Sequence, residues 1–256
     1  MSGQAGDPEA PSANPFFTRH AHAYATSASH AAGRDLARLV ELVTAGGGTQ
    51  AVDVGTGTGH TAIALARAGI HVTGVDPTPA MLVEAKRLAA AEQVADRVVW
   101  VTGMAESLPV ADGSADIVTC RRAAHHFTDV RRAVAEMARV LRPGGLLGIS
   151  DLCPEADVAA VADRFEQLRD ATHRRMLPEE GWRQALAAAG LHLLHLEVDE
   201  EAVSFDQWLR PLAPGGAEAA AIRQALDELE PRVRGRLTGM RGDGWRKRRA
   251  IVVAAR

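Results

Sequence analysis

The stretch Ala51-Val-Asp53-Val-Gly55-Thr-Gly57-Thr-Gly59-His60 runs an apolar strand into an acid and then into three glycines at alternate positions. Without a Cβ, glycine lets the backbone turn through positive φ and lie directly against a ligand. A helix that opens next presents unpaired N–H groups to it. The pattern is a cradle for a nucleotide-type cofactor. A short helix is expected from His60 to Ala68, stopped by Gly69, and then a strand from Ile70 that ends in Asp76. A carboxylate after the second strand of a βαβ unit can accept both hydrogen bonds of a ribose diol. Farther along, His125 and His126 follow an apolar strand. Histidine exchanges a proton near neutral pH, so His126 or His125 is the candidate general base, and either equally serves to fix its loop by hydrogen bonding.

The glycines alone do not choose the cofactor, because Gly57-Thr-Gly59-His60-Thr-Ala62 also satisfies the dinucleotide fingerprint. Four further motifs follow in order: Gly74-Val-Asp76-Pro-Thr-Pro-Ala-Met81-Leu82, Gly103-Met-Ala105-Glu106-Ser-Leu108-Pro109, Ala115-Asp-Ile-Val-Thr-Cys120 and Val140-Leu-Arg-Pro143-Gly144-Gly145. With the glycine loop they resemble class I S-adenosylmethionine-dependent methyltransferases. The Ala123-Ala-His125-His126-Phe127 segment is similar to the small-molecule branch that holds the ubiquinone and menaquinone C-methyltransferases and uncharacterised bacterial relatives.

That resemblance implies roles. Gly55, Gly57 and Gly59 approach the methionyl part of S-adenosylmethionine, Asp53 helps hold its ammonium group through a local network, and Asp76 takes the ribose. Ala105 and Glu106 border the adenine. Met104 stands where the family commonly has an acid, which shifts adenine recognition to backbone groups or to Glu106. Arg121 matches the position whose carbonyl meets the cofactor's amino group, and its side chain, with Arg122, is the alternative contact for an anionic substrate. Tyr24, the single tyrosine, either closes over the sulfonium or methionyl carboxylate or simply packs the lid; an aromatic face near a sulfonium is electrostatically favourable.

These residues need a scaffold that delivers them to one edge. Seven strands are read at 50–54, 71–76, 98–102, 115–120, 146–151, 192–199 and 250–255, with helices between most of them, which is the α/β pattern of a doubly wound sheet. Thr78 with Pro79 and Asp129 mark helix starts, and Pro143-Gly144-Gly145 is expected to end the helix that Asp129 opens. The family resemblance implies a Rossmann-like sheet of order 3-2-1-4-5-7-6 with the last strand antiparallel, under a helical cap. Residues 1–14, rich in Gly, Pro, Ala and Ser, read as a disordered tail. Residues 15–256 read as a single methyltransferase domain: an amino-terminal lid at 15–45, a cofactor-binding core at 46–151, and cap insertions with the terminal strands at 152–256.

A net charge of -3 gives no general attraction to nucleic acid. The basic run of Arg241, Arg246, Lys247, Arg248 and Arg249 reads as a solvated turn or strand edge. His173 in Leu168-Arg-Asp-Ala-Thr-His173 reads as a surface cap residue, with Arg169 and Arg174 in surface ion pairs. Two cysteines, no signal-like segment and no apolar run of spanning length point to a cytoplasmic protein that needs no membrane. No metal site is expected from the scattered histidines. The reading is thus a small-molecule methyltransferase, with acceptor atom and oligomeric state open. The alternatives are a nicotinamide-dependent oxidoreductase or a non-catalytic cofactor-binding member.

Overall fold

The computed structural model describes residues 15–239 and 244–256; the expected tail at 1–14 and Arg241 lie outside the described residues. Seven strands form among the described residues: β1 (Gln50–Val54), β2 (His71–Asp76), β3 (Val98–Thr102), β4 (Ala115–Arg121), β5 (Leu141–Leu152), β6 (His192–Ser204) and β7 (Gly244–Ala255). They make one sheet of order β3-β2-β1-β4-β5-β7-β6. The first five strands run parallel, and β7 is antiparallel to both β5 and β6. The expected Rossmann-like methyltransferase sheet is the observed one. Its order reverses between β1 and β4, so ligands in an open sheet of this kind gather at the carboxyl ends of those two strands.

Helices α1 (Pro15–Ala25), α2 (Ala28–Ala31) and α3 (Arg34–Thr44) precede the sheet, and α4 (His60–Arg67), α5 (Pro79–Ala91) and α6 (Val130–Val140) connect its strands. The cap comprises α7 (Ala159–Arg169) and α8 (Glu179–Ala188) before β6, then α9 (Phe205–Leu209), α10 (Ala217–Asp227) and α11 (Pro231–Thr238) before β7. The central strands β1 and β4 are buried on both faces, as parallel strands covered by helices must be, while the edge strands β3 and β6 are partly exposed. Leu39 and Val43 of α3 and Ile63 and Leu65 of α4 pack with Ile117, Ile251 and Val253 on one face. Val134 and Met137 of α6 and Trp182 and Leu186 of α8 pack with Val118, Ile149 and Val252 on the other. A third cluster lies under the cap, where Trp208 stacks on Trp245 with ring centroids 3.9 Å apart beside Phe165.

Helix α6 starts as its sequence says: the Asp129 side chain accepts from the N–H of Arg132 at 3.0 Å. It ends earlier than the Pro-Gly-Gly signal. Leu141 already pairs with Ala115, so Pro143-Gly144-Gly145 falls inside the irregular start of β5.

The basic run corrects a second expectation. Arg246, Lys247, Arg248 and Arg249 are strand residues of β7, an interior strand, and all four are half-buried. Their partners on β6 are Ala202, Glu201, Glu200 and Asp199 in register, so an acidic run zips against a basic one. Arg246 forks onto Glu200 at 2.6 and 2.7 Å.

Candidate active site

Three glycines carry the chain from β1 into α4 with φ of +65° at Gly55, +54° at Gly57 and +84° at Gly59. Their reasons differ. A Cβ on Gly55 would lie 2.5 Å from the Cβ of Ala123, and one on Gly59 would lie 2.5 Å from the Trp100 ring, so these two are fixed by packing. A Cβ on Gly57 would meet no protein atom within 4 Å. Gly57 is therefore the glycine that faces open space.

Asp76 ties this loop to the end of β2, its two oxygens accepting from the N–H groups of Gly57 at 2.8 Å and Thr78 at 2.9 Å. Each carboxylate oxygen has a second lone pair for a ligand hydroxyl. Asp53 lies beneath the loop, accepting from the hydroxyls of Thr56 at 2.6 Å and Thr119 at 2.7 Å. Burial pushes its pKa up to about 6 against the pull of those two bonds. After β3, Ala105 is buried and Met104 bridges Ser107. One oxygen of Glu106 accepts from the N–H groups of Thr128 and Asp129 at 2.8 and 3.2 Å. Its other oxygen is buried with no partner, beside a crevice lined by Met104, Ser107, Asp129 and Arg132.

The guanidinium groups of Arg121 and Arg122 both fork onto Asp35, with N···O distances between 2.8 and 3.0 Å. Arg121 also donates to the carbonyl of His30 at 3.0 Å, and the Ser150 hydroxyl donates to Asp35 at 3.2 Å. Burial works to raise the Asp35 carboxyl, but the bonds and charges of the two arginines outweigh it and hold the group well below the usual carboxylate range. Both arginine side chains are thereby committed to the protein. Asp35 is the residue that sequence reasoning missed, since an acid in the first turn of α3 looks like ordinary helix-dipole compensation.

The histidine pair divides its work. His125 donates from Nδ1 to Asp151 at 2.5 Å, and its backbone N–H reaches the other oxygen of Asp151 at 3.3 Å. Burial would raise the Asp151 carboxyl, yet the neighbouring His125 holds it well below the usual value, so it stays ionised. A proton fixed on Nδ1 leaves Nε2 of a neutral ring as an acceptor. His126 bonds instead through Nδ1 to the Thr172 hydroxyl at 3.0 Å, and that hydroxyl donates to Asp170 at 2.6 Å. Burial, with the adjacent His125, pushes His126 far below the usual imidazole value and keeps it neutral.

His173 is a correction: it is 3% exposed, donates from Nε2 to Asp163 at 2.8 Å and stacks near His125 with centroids 5.5 Å apart. Arg174 and Arg175 donate backbone N–H groups to the carbonyl of His125, so the segment after α7 is bound to the histidine loop. Arg169 likewise leaves the surface, its guanidinium paired with the fully buried Glu166 at 2.5 Å.

Helix α1 covers both halves of this edge. The carbonyl of Tyr24 meets His60 Nε2 at 3.3 Å, at the start of the helix after the glycine loop. The Tyr24 ring lies 5.1 Å from His30, and Phe17 stands edge-on to His126 at 5.0 Å. Burial and the nearby Asp170 push the Tyr24 phenol up to about 12. Among the described residues no group of three or more His, Cys, Asp or Glu side chains is placed to hold a metal ion.

Residues 52–149 match the family model described as a methyltransferase domain. The uncharacterised methyltransferase YcgJ of Bacillus subtilis is 34% identical over 83% of this chain and 83% of its own. The chain belongs to the methyltransferase family. The crystal structure of YcgJ superposes on this methyltransferase with a TM-score of 0.76 at 29% identity, over 86% of this chain and 96% of that one. The 27-O-demethylrifamycin SV methyltransferase of Amycolatopsis mediterranei is 32% identical over 75% of this chain and 71% of its own. The ubiquinone/menaquinone biosynthesis C-methyltransferase UbiE of Paracoccus denitrificans is 47% identical over 39% of this chain and 41% of its own.

Family membership decides between the two cofactors that the glycine pattern admits: the methyltransferase uses S-adenosylmethionine. The loop fits it, because Gly57 presents bare backbone to open space next to Asp76. Gly57→Ala is expected to weaken S-adenosylmethionine binding at least tenfold while lowering the melting temperature only slightly, the strain of one alanine at positive φ being about 1–2 kcal/mol. Gly59→Ala, which drives a methyl group into Trp100, is expected to cost more stability. Calorimetric titration beside thermal unfolding of both variants separates the two effects.

Proposed function

We propose that this methyltransferase moves the methyl group of S-adenosylmethionine to a small-molecule nucleophile that gives up a proton, with His125 as the general base. The observation that carries this is the 2.5 Å bond from His125 Nδ1 to the buried Asp151 at the carboxyl end of β5. When bound, the cofactor supplies a methyl group already activated by its sulfonium. The protein then has to align the acceptor, exclude water and take the proton.

His125 Nε2 receives that proton, and Asp151 holds the ring in the accepting tautomer and stabilises the imidazolium, the division of labour of a His–Asp pair. His126, neutral and bonded to Thr172, shapes the pocket. Asp53, Gly55, Gly57 and Gly59 seat the methionyl end, Asp76 takes the ribose, and Ala105 with Glu106 edges the adenine. Arg121, at the end of β4, would offer its backbone carbonyl to the cofactor's amino group. Residues 15–45 act as a lid, with Tyr24 over the cofactor and Phe17 over the acceptor side. A small-molecule acceptor agrees with the substrates named for the rifamycin and quinone relatives.

The test is thermal unfolding with S-adenosylmethionine, S-adenosylhomocysteine, NAD and NADP, followed by a screen of small acceptors with labelled methyl donor. At a hundredfold excess over the dissociation constant a ligand adds about 2.7 kcal/mol, several degrees for a chain this size. Stabilisation by the two adenosyl sulfur compounds alone is expected. Failure of every small molecule to accept label, with cofactor binding intact, would sink the acceptor assignment.

A further inference from the structure

The hydrogen bonds behind His126 fix its tautomer. The Thr172 hydroxyl has a single proton and lies 2.6 Å from Asp170 Oδ1, which also accepts the Thr172 N–H at 2.9 Å. A carboxylate only accepts, so the hydroxyl spends its proton on Asp170 and has only a lone pair left for Nδ1 of His126 at 3.0 Å. His126 therefore donates from Nδ1. Burial, with the adjacent His125, keeps the ring neutral, so its Nε2 carries a bare lone pair.

His125 reaches the same state by another route, its Nδ1–H being spent on Asp151 at 2.5 Å. Both rings are half-buried. Among the described residues neither Nε2 has a hydrogen-bond partner, and neither nitrogen is sealed from solvent. Two acceptors without donors are thus left open in a site whose other polar groups are satisfied from behind.

The two nitrogens belong together. Their rings share the turn Ala124–His126 with centroids 4.1 Å apart, a spacing that neighbouring hydroxyls of one molecule can span. The turn is braced, because Arg174 and Arg175 donate their N–H groups to the His125 carbonyl at 2.8 and 3.2 Å. The segment that carries Asp170 and Thr172 is thereby tied to the one that carries both rings. Phe17 of the lid stands edge-on to His126 at 5.0 Å, so His126 is the ring on the lid side.

We propose that His126 Nε2 is a second contact to the methyl acceptor, accepting from a hydroxyl next to the nucleophile that His125 deprotonates, so that the site selects vicinal dihydroxy compounds. Thr172 and Asp170 are positioning residues that hold the accepting tautomer. His126 takes no proton in the transfer; its bond fixes which hydroxyl faces His125. A site built to accept from both hydroxyls rejects the analogue that lacks one, because an acceptor is then left unpaired. The assignment rests on the methyltransferase reading and narrows its acceptors by chemical class.

The experiment uses the full chain with isotope-labelled histidine nitrogens, saturated with S-adenosylhomocysteine, and follows the imidazole signals by NMR as catechol, phenol or anisole is titrated in. The parent is expected to show His126 protonated at Nδ1 and bare at Nε2. Catechol is expected to shift Nε2 of both histidines and to bind at least tenfold more tightly than phenol or anisole. Thr172→Val is expected to lose the fixed Nδ1–H form and to weaken catechol at least tenfold, with phenol and S-adenosylhomocysteine affinity unchanged. Thr172→Ser, which keeps the hydroxyl, is expected to restore both the signal and the affinity. A His126 proton on Nε2, catechol that binds no better than phenol, or full catechol selectivity in Thr172→Val overturns the contact. The first two are read on the parent, so they decide the matter even if Thr172→Val folds poorly. Absence of S-adenosylhomocysteine binding by the parent protein is a different failure, that of the methyltransferase reading.

Discussion

His125→Ala is expected to lower kcat by roughly 10²–10⁴-fold, the range for loss of a positioned general base, while S-adenosylmethionine still binds with parental affinity. The ring lies with Asp151 at the end of β5, away from the Gly57–Asp76 cradle, so the two functions are separable. Asp151→Asn is expected to move kcat in the same direction, because an amide cannot hold Nδ1–H as a carboxylate does or stabilise the imidazolium. His126→Ala is the informative control. Its ring is neutral and engaged with Thr172, so the variant should lose stability and loop order while keeping most of its turnover. Single-turnover rates with labelled methyl donor measure all three variants. A His126→Ala protein that binds cofactor but is dead, beside an active His125→Ala protein, would reverse the assignment.

Asp35→Ala is expected to destabilise the protein by about 3–5 kcal/mol, because it strands buried cations rather than merely deleting a contact. Arg121 is 3% exposed at its side chain and Arg122 17%, and the single carboxylate receives forks from both. For a chain of this length that is a fall of roughly ten degrees or more in melting temperature.

The pH dependence has a definite sign. Asp35 is ionised in the folded protein far below the ordinary carboxylate value, so the unfolded chain binds its proton first as acid is added. Its stabilisation is complete above pH of about 4 and drains away as the pH falls below that. Denaturant midpoints of parent and variant should therefore be far apart at neutral pH and draw together in acid. Midpoints that stay parallel across that range would show that the forks contribute no charge-dependent stability.

The sheet was legible because most of its strands are, or contain, short apolar runs, punctuated by glycine and by caps such as Asp129. The basic run before the last strand hid six residues of β7, since four consecutive cations resemble a solvated turn. The readable signal was the acidic run Glu197-Val-Asp199-Glu200-Glu201 on β6, which pairs with it across a hairpin whose arms are separated by α9, α10 and α11. His173 reads as a surface residue in sequence because its partner, Asp163, lies ten residues back on the far side of a turn. Asp35 meets Arg121 from 86 positions away, and no local pattern reports such a contact. The glycine loop, by contrast, carries its conformational requirement in residue type alone, and the sequence located it.

The placement of α1 sets the order in which things leave. One helix touches the start of α4 through Tyr24 and faces His126 through Phe17, and its His22 reaches Glu84 on α5. In the lid role we propose for this helix, spent cofactor and methylated product would share one door, and the dwell time of that door would bear on how fast the enzyme cycles.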